Sequence, residues 1–128
     1  TKKIMLYIFK LVNDEYGHHV GDEVLIALAQ RCRMILKDND LLGRLGGEEF
    51  CIALPNKTLT MAKEIAANIL HSVNSAPIVT NDIEVSFTVS IGVTEYCALD
   101  RTFESVYQRV DKALYAAKKA GRNCFKTL

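Results

Sequence analysis

The sequence carries no surplus of either charge, no long apolar run and no paired cysteine motif. Sixteen Lys and Arg against fifteen Asp and Glu leave a net charge of +1, so the bulk electrostatics do not favour DNA, RNA or an anionic membrane surface. An anionic ligand must therefore be held locally. The longest apolar runs, Ile4 to Phe9 and Val24 to Ala29, are six residues each, far below the roughly 20 that cross a bilayer. A soluble, cytoplasmic piece is expected. Cys32, Cys51, Cys97 and Cys124 form no CxxC pair, which excludes the usual zinc and redox spacings and predicts reduced core thiols. There is no internal repeat and no low-complexity segment, and no signal peptide is expected. The chain opens with Thr1-Lys2-Lys3 directly before an apolar strand, which reads as a fragment of a longer protein. At 128 residues and 49% apolar, it is long enough for one core and too short for two.

Periodicity orders the elements. Ile4 to Phe9 reads as a buried strand, and Leu25, Leu28, Cys32 and Ile35 recur at helical steps between Asp22 and Lys37. Leu41 to Leu45 and Phe50 to Leu54 are strand-like runs joined by Gly46-Gly47, a pair able to adopt the positive φ of a tight turn and to project Glu48 and Glu49 from its tip. After capping residues between Asn56 and Thr60, a second helix runs to about Val73. Ile78-Val79 and Ile83-Glu84 suggest a small hairpin, followed by strict alternation from Val85 to Val93, the period of a strand with one face on a core. Phe103, Val106, Val110, Ala113, Leu114 and Ala117 mark a last helix stopped at Gly121, with a final strand at Cys124 to Lys126. This order predicts one α+β domain with helices packed on a central, largely antiparallel sheet.

Each candidate feature also has an ordinary explanation. Gly-Gly followed by two glutamates is a good solvated hairpin, Asp22 is a common carboxylate near a helix start, and Lys118 and Arg122 are cations at a helix end. A plain interaction domain is the reading these explanations would give. Their combination points elsewhere. Phe9-Lys10-x-x-Asn13-Asp14-x-Tyr16-Gly17-His18-x-x-Gly21-Asp22, then Arg44-x-Gly46-Gly47-Glu48-Glu49-Phe50, then Ser90-Ile91-Gly92, then Ala113-Leu114-Tyr115-x-Ala117-Lys118-x-x-Gly121-Arg122-Asn123 resemble the GGDEF family of diguanylate cyclases.

The resemblance implies a nucleotidyl-cyclase-like fold and the joining of two GTP molecules into cyclic di-GMP and pyrophosphate. It also implies a homodimer with the reaction at its interface, because each chain holds one GTP. Glu48 corresponds to the metal-binding acid for Mg2+ or Mn2+, and Glu49 to the acid placed to help deprotonate the attacking hydroxyl. Asn13 and Asp22 match the guanine-reading positions. Lys118, Arg122 and Lys10 match phosphate-holding ones, with Phe9, Gly46 and Gly47 also at the substrate. Lys37 and Asp40 stand where the family has an Arg-x-x-Asp product-inhibition site, and lysine cannot fork onto a phosphate as arginine does.

Two departures qualify the resemblance. The helix with Asp-x-Leu-Thr-Gly-Leu that usually begins the domain is missing. Active members also end their first strand in Asp-x-Asp-x-Phe-Lys, whereas Met5-Leu6-Tyr7-Ile8 precede Phe9-Lys10 here. Met5 and Tyr7 take the acid positions if there is no gap, and Tyr7 takes that of the metal ligand if two residues are missing. Two readings follow: an active cyclase, or a degenerate domain that binds GTP and regulates a neighbour.

Overall fold

The computed structural model describes residues 3–12, 17–37, 39–46, 48–80 and 82–128, with 3–12, 17–20, 45 and 46 described by their backbone alone. Its elements run β1 (Lys3–Val12), α1 (Gly17–Ile35), β2 (Leu41–Gly46), β3 (Glu49–Pro55), α2 (Leu59–Ser75), β4 (Ile78–Thr80), β5 (Ile83–Val85), β6 (Phe87–Tyr96), α3 (Phe103–Lys119) and β7 (Phe125–Thr127). Five strands form one sheet in the order β2-β3-β1-β6-β7, with β4 and β5 in a separate hairpin. All pairings in the large sheet are antiparallel except β6 with β7, so the α+β expectation holds. No helix among the described residues is long and apolar enough to cross a membrane.

Two boundaries differ from the sequence reading. β1 continues past Phe9 to Val12, because β6 offers it an antiparallel partner along that whole length. Helix α1 starts at Gly17 rather than Asp22. Gly17 and Gly21 each weaken a helix by about 1 kcal/mol relative to alanine, which hides the start from local reading. Packing of the following apolar stripe, with Val24, Leu25, Leu28 and Cys32 buried, favours it nonetheless.

The sheet is covered on both faces. Phe50, Ile52 and Leu54 of β3 and Phe87, Val89, Ile91 and Val93 of β6 join the buried faces of α1 and α2 in the main core. On the other side Val106, Val110 and Leu114 of α3 form a second cluster with Cys51, Tyr96 and Tyr107. Period-two alternation puts one face of β6 on a core. Its other face, with Ser90, Gly92 and Thr94, is buried as well, because α3 lies over it.

Helix ends follow local chemistry. Thr58 and Thr102 cap α2 and α3 by accepting hydrogen bonds from the backbone N–H of Met61 and Ser105, both at 3.2 Å. At the end of α3 the Arg122 N–H donates to the Ala117 carbonyl (3.0 Å) and the Gly121 N–H to the Lys118 carbonyl (3.3 Å). Gly121 sits at φ 109°. This is a Schellman stop, which requires a left-handed residue just past the helix and so selects glycine.

The thiols are only partly as expected. Cys32 is buried and Cys51 and Cys124 are half-buried, but Cys97 is exposed because it lies in the turn that leaves β6. Burial pushes the Cys32 thiol up to about 12 and that of Cys51 to about 11, so both stay protonated at neutral pH.

Candidate active site

Strand register assembles the motifs. Gly46 of β2 pairs with Glu49 of β3, Glu49 with Phe9 of β1, and Phe9 with Ser90 of β6. One residue further, Ile91 pairs with Phe125 of β7, and its N–H donates to the Cys124 carbonyl at 3.0 Å. A single row across the sheet thus joins the acidic hairpin at one side to the Gly121–Asn123 loop at the other. Three strand spacings separate β3 from β7, roughly 14 Å. Because β1 ends near this row and α1 begins at Gly17, the first turns of α1 stand at the same end of the sheet.

Glu48 occupies the turn and is exposed, whereas Glu49 is half-buried as the first residue of β3. The hairpin tip therefore carries one acid and the strand the other, a refinement of the expectation that both project from it. Asp22 is exposed on the second turn of α1, about 7.5 Å along the axis from Gly17. Lys118 is half-buried in the last turn of α3, and Arg122 is exposed just beyond it. Asn13 and Gly47 lie outside the described residues, while Phe9, Lys10 and Gly46 are placed by their backbone in β1 and β2.

The basic loop has an unusual backbone. Gly121, Arg122 and Asn123 adopt φ of 109°, 65° and 49° in succession. Asparagine tolerates this region, but arginine gives up about 1–2 kcal/mol there. The Asn123 side-chain oxygen accepts a hydrogen bond from the Asn74 amide of α2 at 3.0 Å. Such strain persists only where the surroundings over-determine the conformation.

The first-strand departure is now located. β1 reads Lys-Ile-Met-Leu-Tyr-Ile-Phe-Lys-Leu-Val and contains no carboxylate at any position. Phe9 holds the place beside Glu49, whereas Tyr7 pairs with Cys51 and Gly92, and Met5 with Ala53 and Thr94. Tyr7 and Met5 thus lie about 7 and 13 Å along the strand from the row. Among the described residues no group of three His, Cys, Asp or Glu is clustered to hold a metal ion. The carboxylate oxygens of Glu48 and Glu49 still suit magnesium, which takes one or two protein carboxylates and completes its shell with phosphates and water.

Lys37 and Asp40 lie apart, at the opposite end of β2. The Asp40 carboxylate accepts the Lys37 backbone N–H at 2.8 Å, and the Lys57 ammonium approaches it at 3.4 Å. It is already committed to closing its own turn. Weak or no binding of cyclic di-GMP there is the expected calorimetric result, with Lys37→Arg raising affinity about tenfold by adding a forked donor. Tight binding that Lys37→Ala abolishes would show this to be wrong.

One polar cluster escaped the sequence reading. Asp100 accepts two hydrogen bonds from the Arg109 guanidinium (3.0 and 2.6 Å), one from Ser105 Oγ (2.6 Å) and one from the Cys97 backbone N–H (2.8 Å). Arg109 also donates to Thr94 Oγ1 (2.8 Å) and the Glu95 carbonyl (2.7 Å), tying α3 to β6. Its one sequence signal is that Ser105 and Arg109 are four apart and share a helix face. Arg109 first, then Ser105 and Cys97, hold the Asp100 carboxyl well below the usual carboxylate range. A depressed acid contributes stability above its unfolded value of about 3.9 and loses that contribution as pH falls below it. Melting at pH 7 and pH 3 is therefore expected to show Asp100→Asn less stable than the parent at pH 7 and less sensitive to acid. An unchanged acid response would remove Asp100 from the account.

Known proteins match this chain and its fold. The family model described as diguanylate cyclase, GGDEF domain, matches residues 3–124. The protein YhcK of Bacillus subtilis is 44% identical over 120 residues, covering 91% of this chain and 33% of its own length. Diguanylate cyclase DgcM of Escherichia coli K12 is 44% identical over 115 residues, covering 90% and 27%. The chain thus spans about a third or less of these relatives. Among solved structures, the GGDEF domain of YfiN (TpbB) from Pseudomonas aeruginosa superposes with a TM-score of 0.92 at 34% identity, over 98% of this chain and 81% of that one. The active GGEEF domain of a diguanylate cyclase from Vibrio cholerae gives 0.87 at 32%, over 99% and 83%.

Proposed function

Because the chain belongs to the GGDEF family of diguanylate cyclases, we propose that it binds GTP across the end of its sheet and that two copies, face to face, condense two GTP into cyclic di-GMP. Each 3′-hydroxyl attacks the α-phosphate of the other nucleotide, and two pyrophosphates leave. The observation that carries this reading is the row from Glu49 through Phe9 and Ser90 to the Gly121–Asn123 loop, a span that an extended nucleoside triphosphate can bridge.

In this reading Asp22 and Asn13 accept and donate to the guanine edge, and Lys118, Arg122 and Lys10 hold the phosphates. Glu49 takes the proton of the attacking hydroxyl. Glu48 holds Mg2+ or Mn2+, which when bound neutralises charge on the phosphates. The domain works on the cytoplasmic side as the output of a larger protein with an upstream sensor.

A second reading is favoured by one specific observation, the absence of any carboxylate in β1 with Phe9 beside Glu49. It is a GTP-binding regulatory domain without turnover. Incubation with GTP and Mg2+ or Mn2+ at high protein concentration separates the two by pyrophosphate release. Release that rises steeply with protein concentration is expected for the cyclase, whereas GTP binding without release selects the regulatory domain. Melting shifts that are equal for GTP and ATP, or absent for both, would defeat both readings.

A further inference from the structure

Two nucleotide-facing elements of the proposed site are tied to one helix end. The C-terminal turn of α2 has no basic residue of its own, and its terminal carbonyls need donors from elsewhere. Arg31 of α1 supplies one of them, donating to the Ser72 carbonyl at 2.9 Å, which Ser75 Oγ of the same turn also reaches at 3.3 Å, and it donates to the Pro77 carbonyl just beyond at 3.3 Å. On the same turn, Asn74 donates to Asn123 at 3.0 Å. Thus α1, which carries Asp22, and the left-handed loop that carries Arg122 are both fastened to residues 72–77.

From this geometry we infer that Asn74 is a positioning residue for the phosphate-holding loop, with the end of α2 as a strut that sets the loop's distance from the guanine-reading helix. The inference rests on the GTP reading above. A hydrogen bond positions a loop only when its other partner is fixed, and Arg31 fixes it here. Arg122 and Asn123 sit in a conformation that arginine disfavours. Releasing Asn123 lets the backbone of both relax and the guanidinium drift from the phosphates. The base end should not notice.

The test compares GTP with GMP by calorimetry on the intact chain. Asn74→Ala is expected to reduce the preference for GTP over GMP by roughly threefold to tenfold, the range that one ordinary hydrogen bond supplies. Asn123→Gly removes the same bond while keeping the positive φ, and should give the same pattern. In an Arg122→Ala background, Asn74→Ala should add nothing, since the arginine it positions is gone. An unchanged preference, equal weakening of GTP and GMP, or additive effects with Arg122→Ala would each overturn the inference. Wild-type protein that binds GTP while Asn74→Ala behaves like it defeats this inference alone; wild-type protein that binds no GTP defeats the parent reading as well.

Discussion

Gly92→Ala is expected to destabilise the domain by about 3 kcal/mol or more, the upper end of what overpacking a close-packed interior costs. A Cβ at position 92 would lie 2.5 Å from the Leu114 backbone nitrogen and 2.5 Å from the Val110 carbonyl oxygen, with the Leu114 Cα at 3.0 Å. These are backbone atoms of α3, so no side-chain rotation relieves the clash. The helix must move off the sheet or the strand must bend. Either change opens the packing of Val110 and Leu114, both buried, and shifts the turn that carries Lys118. A fall in melting temperature of about 10 °C or more follows for a domain of this size. Gly43→Ala is the control, since a Cβ there meets nothing within 4 Å and should leave the melt nearly unchanged. Similar melts for the two variants would mean that α3 does not lie against Gly92.

The second large effect concerns the base. If the proposed GTP site is right, Asp22→Asn is expected to weaken GTP binding on the order of a hundredfold while leaving any binding of ATP unchanged. A carboxylate can accept from both the ring N–H and the exocyclic amine of guanine, two charge-assisted bonds. An amide in its place offers one acceptor and presents an N–H toward a donor. The full discrimination of a buried site is not expected, because Asp22 is exposed and stays hydrated when the site is empty. For the same reason the substitution should move stability by less than about 0.5 kcal/mol, so a loss of binding cannot be blamed on unfolding. GTP affinity that survives the change, or ATP affinity that falls in parallel, would take Asp22 out of the guanine site.

Element identity was legible where local physics dominates. The apolar stripes of α2 and α3, the threonine caps, the glycine stop at Gly121 and the β4–β5 hairpin all follow from periodicity and turn chemistry within a few residues. Legibility failed where a distant partner decides. β1 reads as ending at Phe9, but β6 carries it to Val12. α1 reads as starting at Asp22, but packing of its later turns tolerates Gly17 and Gly21. Alternation puts one face of β6 on a core, but only the packing of α3 decides that its Ser, Gly and Thr face is buried too.

The site divides along the same line. The acidic hairpin and the basic helix end are recognisable from their own residues, and so is the lack of an acid ahead of Phe9. That Phe9 holds the place between Glu49 and Ser90 is a matter of register, which no single segment contains. Asp100, Arg109 and Asn74 were invisible because each meets a partner that polar spacing alone does not reveal.

Local sequence determined which segments are helix, strand and turn, since propensities and apolar periods act over a few residues. It also determined which functional groups each loop carries. Only the tertiary structure decided the strand order, the row that joins hairpin to loop, and the role of Gly92. Those depend on contacts between residues tens of positions apart, whose free energy arises when the sheet and its two helical layers close together.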